Sequence, residues 1–186
     1  STASGKELKL RLQNKLGVWQ QTSWQEKMKY FANNRAEHRD EVVDTLSKGG
    51  IVIYDRYVPS SIAFITQEAA QSGEYDRTNV QAEVAEFEYE TNNMPHEDVS
   101  LFFDVPPQVA MNLLEGRKHN TGDEAEYTDY IAVQEALHVE YLRMVAENPT
   151  HMLHVECMDG DRLRTIDEVS VIVRTLLAKQ FPSHAQ

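Results

Sequence analysis

The sequence has a single cysteine, Cys157, in 186 residues, so no intrachain disulfide can form, as suits a reducing compartment. It has no apolar run near the roughly 20 residues of a membrane helix and no recognisable leader, so a cytoplasmic protein without a membrane partner is expected. It also lacks basic charge. Eighteen Lys and Arg face thirty Asp and Glu, for a formal net charge of −12. That argues against a general nucleic-acid surface and leaves any anionic small substrate to a few arginines acting locally. Internal repeats and low-complexity tracts are missing, and no linker divides the chain. The seven histidines lack metal-ligand spacing: His151 and His154 are three apart on a predicted strand and so face opposite sides. They read as core or surface residues, and Cys157 as a small buried one. Ser1 in place of an initiating Met suggests a mature, trimmed or partial chain.

The opening "STASGK" looks like the tail of a phosphate-binding loop but lacks what such a loop needs. No glycine precedes Gly5, no strand precedes the segment, and Glu7 stands where a Ser or Thr should meet Mg²⁺. It is therefore not read as a Walker A motif.

What is present is ordinary for a globular protein: 41% hydrophobic and 26% charged residues, in a length that suits one domain, residues 1–186. Helical spacing runs over Lys6–Leu16, and a long helix is expected from about Thr22 to Lys48, with Thr22 or Ser23 as N-cap and Gly49-Gly50 stopping it. "IVIYD" (Ile51–Asp55) reads as a buried strand. Helices are expected over Pro59–Ala70 and Arg77–Asn92. "VSLFFDV" (Val99–Val105) is a second strand, followed by a helix opening at Pro106-Pro107. "GRKHNTGDEAE" has no apolar period and reads as a loop. A long helix to about Glu147, a strand over "HMLHVEC" and a helix near Thr165–Lys179 complete the chain. Strands alternating with helices predict a three-layer α/β fold around a parallel sheet. Three strands are few for so many helices, and the missing part would belong at the N-terminus.

Chemistry is expected at the carboxyl ends of the strands. Asp55 and Arg56 lie there. An Arg fork suits a phosphate, and a carboxylate beside it could orient that Arg or hold hydrated Mg²⁺; a plain surface ion pair is the other reading. Phe31 and Arg35 are four apart and share one helix face, so they could stack on a base and bond its edge, or be core and solvent-directed residues respectively. Ser60, Ser61 and Phe64 could complete a small pocket. "EVAEFEYE" reads as a solvated helix face with Val84, Phe87 and Tyr89 on its apolar side.

In order and spacing these pieces resemble the thymidylate kinase family. "FANNR", then "DRYVPSSIAF", is similar to the family's aromatic-x-x-x-Arg segment and its Asp-Arg-Tyr turn with a Ser pair. "LFFDVPPQVAMNLLEGR" is similar to its late strand and helix, and "HVECMDGDRLRTIDEVSVIV" to its last strand, adenine-side loop and final helix. "STASGK" resembles the Ser-Thr-x-x-Gly-Lys segment that follows the family's second strand. The resemblance therefore places the first strand, phosphate loop and second strand before Ser1, a unit of roughly 30 residues or more. It implies a P-loop NTPase-like fold and transfer of the γ-phosphoryl of ATP to dTMP, with Mg²⁺, in a homodimer to which Phe87 and its neighbours would contribute. It further implies that Arg56 clamps the acceptor phosphate and Asp55 orients it or the Mg²⁺ shell. Phe31 would stack on thymine, Arg35 would bond its edge, and Ser60, Ser61 and Phe64 would shape the base site. Arg117 and Lys118 would reach from a lid at about 117–126 toward the donor phosphates, and Tyr127 or Tyr130 would line the sugar. A kinase of another deoxynucleotide, or a non-catalytic nucleotide-binding or scaffold protein, remains an alternative.

Overall fold

The computed structural model describes residues 3–13, 19–73, 75–121 and 130–182. The chain divides into two compact units, Ser1–Glu97 with Glu124–Val133, and Asp98–Asp123 with Gln134–Gln186.

The regular elements among the described residues of the first unit are all helices or helical turns. Helix α1 spans Ala3–Leu12 and a 3₁₀ turn Trp19–Gln21 follows. Ser4-Gly5-Lys6 thus lies inside a helix, in keeping with its exclusion as a phosphate loop. The long helix expected over 22–48 is two helices, α2 (Trp24–Ala36) and α3 (Arg39–Ser47). Ser23 starts α2 with a reciprocal capping box: its hydroxyl accepts from Glu26 N–H, and the Glu26 carboxylate accepts from Ser23 N–H. The break comes where His38 N–H turns back to the Arg35 carbonyl and His38 leaves helical geometry at φ −104°, ψ 4°. Gly49, at φ +74°, ends α3 in the left-handed conformation that glycine alone adopts without penalty.

Helix α4 (Val58–Gln71) is the centre of this unit. Val58, Ala63, Ile65 and Ala69 are completely buried. They pack with Met28 and Ala32 of α2 and with Val80 and Val84 of α5 (Arg77–Ala85). Each of the larger side chains contributes about 1.5–3 kcal/mol by burial. Beyond Ala85 the chain widens into a π-helical turn, Glu86–Thr91, marked by Asn92 N–H bonding to the Phe87 carbonyl.

Two expectations fail here. Ile51–Asp55 is not a strand: no described segment pairs with it, and Ile51 and Ile53 are 83% and 90% exposed. An apolar run becomes a strand only when neighbours accept and donate its backbone hydrogen bonds. Nor is "EVAEFEYE" simply a solvated face, because Glu88 is completely buried.

The second unit carries the sheet. Strands β1 (Ser100–Asp104) and β2 (Met152–Glu156) run parallel, with Phe102 opposite His154 and Asp104 opposite Glu156. Helix α6 (Pro107–Thr121) opens at a proline, as expected. It also includes the start of the segment read as a loop, for the straight-chain residues Glu115, Arg117 and Lys118 favour helix without any apolar period. Helix α7 (Ile131–Glu147) buries Leu137, Glu140 and Met144. A small hairpin, β3 (Met158–Asp159) with β4 (Arg162–Leu163), turns at Gly160 with φ +59°. Gly160-Asp161 is its two-residue loop, with glycine at the first position that such a turn favours. Helix α8 (Ile166–Gln180) starts at the capping box of Thr165 and Glu168, and Glu168 is pushed down to about 2 by Arg162 and by the Thr165 N–H.

Candidate active site: an arginine held beside an aromatic cluster

In the first unit, the face of α2 that carries Phe31 and Arg35 meets α4. The Phe31 ring stands edge-on to Phe64 at 5.3 Å and to Trp19 at 6.0 Å. Trp19 and Phe64 are buried, whereas Phe31 is half-exposed. Beneath them Lys27 and Glu68 form a buried ion pair, with the Lys27 ammonium 5.1 Å from the Trp19 ring. The aromatic cluster therefore rests on a fixed polar base.

One helical turn on, Arg35 is gripped from one side. Its Nε donates to Glu88 Oε2 at 3.3 Å, and its Nη2 donates to Glu88 Oε1 and to Ser61 Oγ. The Arg35 side chain is 12% exposed and that of Glu88 not at all. The Tyr57 ring lies 5.8 Å from the guanidinium and stacks on Tyr54 at 4.6 Å. Tyr57 OH donates to the Pro95 carbonyl at 2.6 Å. Burial, helped by the neighbouring Tyr54 and Glu97, pushes the Tyr57 hydroxyl far above its ordinary range. Burial does the same to Tyr54, so both stay neutral.

Tyr57 joins this cluster to the Asp55-Arg56 turn. Arg56 adopts φ +68°, a left-handed backbone that is uncommon for a side chain of its size. Such strain costs on the order of 1–3 kcal/mol and concentrates at functional sites. Asp55 and Arg56 are exposed, and their side chains have no hydrogen bond or ion pair among the described residues. They precede α4, whose N-cap Tyr57 offers no side-chain cap to the first-turn N–H groups. Pro59 has no N–H and those of Ser60 and Ser61 bond to the Tyr57 carbonyl, so the helix start contributes mainly its dipole beside the exposed Arg56 guanidinium.

The structure thus brings Phe31, Arg35, Ser61 and Phe64 together, with Ser60 on the first turn of α4 and Asp55 and Arg56 just before it. The side chains of Arg117 and Lys118, and all of Tyr127, lie outside the described residues; Tyr130 is exposed. Sequence reasoning missed Glu88, Trp19, Lys27 and Tyr57. Glu88 had a signal, being four residues after Val84 and eight after Val80 on one stripe, where a carboxylate must find a partner.

The second unit has its own feature. Asp104 accepts from or shares a proton with His138 Nε2 at 2.6 Å and His154 Nε2 at 2.7 Å. Burial raises the Asp104 carboxyl, but the two imidazoles outweigh it and leave it below its ordinary range. Beyond the carboxyl ends of β1 and β2 lies an open cleft of about 440 Å³, lined by Asp104, Pro106, Val109, Glu156, Met158, Gly160 and Asp161. Among the described residues no group of three or more His, Cys, Asp or Glu could hold a metal ion, and no helix is long and apolar enough to cross a membrane.

A guanidinium fixed beside aromatic rings, next to a left-handed turn with an exposed Arg at a helix start, is an arrangement able to hold a flat ring and an anion together. Comparison with known proteins is specific. The thymidylate kinase family model matches residues 1–157, and the chain belongs to that family, whose fold is the α/β fold of P-loop NTPases. A thymidylate kinase of Cupriavidus metallidurans is 30% identical over 77% of this chain and 64% of its own length. One of Caldanaerobacter subterraneus subsp. tengcongensis is 26% identical over 70% and 58%, and one of Lacticaseibacillus casei 22% identical over 82% and 65%. The chain therefore spans about three fifths of the length of these curated relatives. No solved structure matches it significantly.

Proposed function

We propose that this chain takes part in the ATP-dependent phosphorylation of dTMP to dTDP, and that its first unit holds the dTMP. The observation that carries the proposal is the fixed Arg35 beside half-exposed Phe31, in a chain of the thymidylate kinase family. The half-exposed ring of Phe31 stacks on the pyrimidine, with Phe64 and Trp19 fixing its angle. Arg35 donates to a keto oxygen on the base, for a guanidinium has donors only. Arg56 takes the 5′-phosphate at the positive start of α4, with Ser60 on that first turn and buried Ser61 beside Arg35 helping to shape the base site.

Phosphoryl transfer asks for in-line positioning and neutralisation of oxygen charge, not a covalent partner. Arg56 supplies a cation at the acceptor phosphate, and the strained turn sets its direction before substrate arrives. Asp55 is an exposed carboxylate with no partner among the described residues, a hard oxygen donor of the kind Mg²⁺ uses singly while keeping its waters. Held by Asp55, Mg²⁺ would supply neutralisation of phosphate charge. The cleft of the second unit suits the base and sugar of ATP better than its phosphates, because Asp104, Glu156 and Asp161 line it. Arg117 and Lys118 are the proposed lid cations and Tyr127 the proposed sugar contact. A cytoplasmic homodimer, with Phe87 near its interface, completes the reading.

The test is incubation of the purified protein with Mg-ATP and a panel of nucleoside monophosphates. Formation of dTDP in preference to other products supports the proposal. Preference for a base other than thymine would sink it, and dTMP binding without turnover would restrict this chain to a binding role.

A further inference from the structure

We infer that Glu88 is a positioning residue that locks the Arg35 guanidinium and so sets the preference for a keto over an amino pyrimidine. The inference rests on the proposed placement of the base at Arg35.

Among the described residues, the hydrogen bonds that Arg35 donates all leave from Nε and Nη2, two to one carboxylate and the third to Ser61. Two parallel bonds from a carboxylate fix the plane of a guanidinium, not merely its distance. Nη1 takes no part in them and is left to donate to a ligand. A locked donor edge rewards an acceptor such as the 4-keto oxygen of thymine or uracil. Against the 4-amino group of cytosine it sets donor against donor, and the guanidinium cannot swing aside. A loose arginine could turn away and tolerate either base.

Two features make this more than an ordinary ion pair. Glu88 is fully buried, and a buried pair of this kind adds little stability over apolar side chains of the same shape, so stability alone does not account for it. It also sits in the π-helical turn Glu86–Thr91, held by Asn92 N–H to the Phe87 carbonyl and Met94 N–H to the Glu88 carbonyl. Widened turns of this type are rare and concentrate at functional positions.

The experiment compares kcat/KM for dTMP and dCMP in the wild type, Glu88→Gln, Arg35→Ala and the double variant, with thermal unfolding as the control for folding. Glu88→Gln should lower the dTMP to dCMP ratio about tenfold or more, the effect of one charged hydrogen bond. In the double variant it should add nothing to the effect of Arg35→Ala, because Glu88 acts only through Arg35. An unchanged ratio in folded Glu88→Gln, or additive effects in the double variant, would overturn the inference. If the wild type itself does not select dTMP, the functional proposal fails first, which the same data show separately. Should Glu88→Gln not fold, ¹⁵N relaxation and solvent exchange of Arg35 Nε–H in the wild type decide. A rigid, slowly exchanging group supports the lock, and a freely rotating one refutes it.

Discussion

The Lys27–Glu68 pair under the aromatic cluster gives a sharp test of how this unit is built. The two side chains are 6% and 5% exposed, they bond each other directly, and Lys27 also lies over the Trp19 ring. Glu68→Ala leaves a buried ammonium without its carboxylate. Breaking such a pair from one side costs about 3–5 kcal/mol, because the remaining charge loses its bonded carboxylate while water is still excluded. For a protein of this length that lowers Tm by roughly 6–20 °C. Replacing both members by apolar residues, Lys27→Met with Glu68→Leu, should restore most of the loss, ending within about 2 kcal/mol of wild type. Part of the remainder is the cation-π contact with Trp19, worth about 0.5–2 kcal/mol. Urea unfolding followed by tryptophan fluorescence provides the assay, since Trp19 and Trp24 are the only two tryptophans. A Glu68→Ala loss below about 1 kcal/mol, or a double variant no better than the single, would refute the claim that the pair is dry and mutually dependent.

Arg56→Gly should raise stability by up to about 1–3 kcal/mol, less the added chain entropy of glycine, by removing the left-handed strain. On the proposed role of Arg56 at the acceptor phosphate, the same variant should cut kcat/KM for dTMP at least about a hundredfold; paired denaturation and steady-state kinetics read both effects. Asp104 is held below its ordinary value of 3.8 by His138 and His154 against the effect of burial. Its folded-state depression contributes stability that is present above 3.8 and is lost as pH falls through the lower folded value. Asp104→Asn should therefore flatten the acid limb of a stability-against-pH curve, and an unchanged acid limb would contradict the assignment.

The fold was legible wherever local signals and tertiary partners agree. β1, β2 and α8 fall within a residue or two of expectation because each carries a compact apolar run or a capping box. Ser23 was one of two candidate caps and is the one used. Ile51–Asp55 misled because strand propensity says nothing about whether a neighbour is there to pair with it. The Arg117–Thr121 stretch misled in the opposite way, since a helix polar on all sides shows no period. At the site, spacing put Phe31 with Arg35, four apart on α2, and Ser61 with Phe64, three apart on α4, on shared faces, while their reading as a base site came from the family resemblance. Their partners were not, because Glu88 and Lys27 look like surface charges until burial is known, and the pairs they form span 53 and 41 residues.

The central claim is that this chain holds a keto pyrimidine nucleotide between Phe31 and Arg35. Isothermal calorimetry of the purified protein with dTMP and with dCMP tests it most directly, with Phe31→Ala as a third titration. The account predicts saturable binding of dTMP, binding of dCMP at least about tenfold weaker, and a clear loss of dTMP affinity in Phe31→Ala. Equal affinity for the two nucleotides, or dTMP binding untouched by Phe31→Ala, would contradict it.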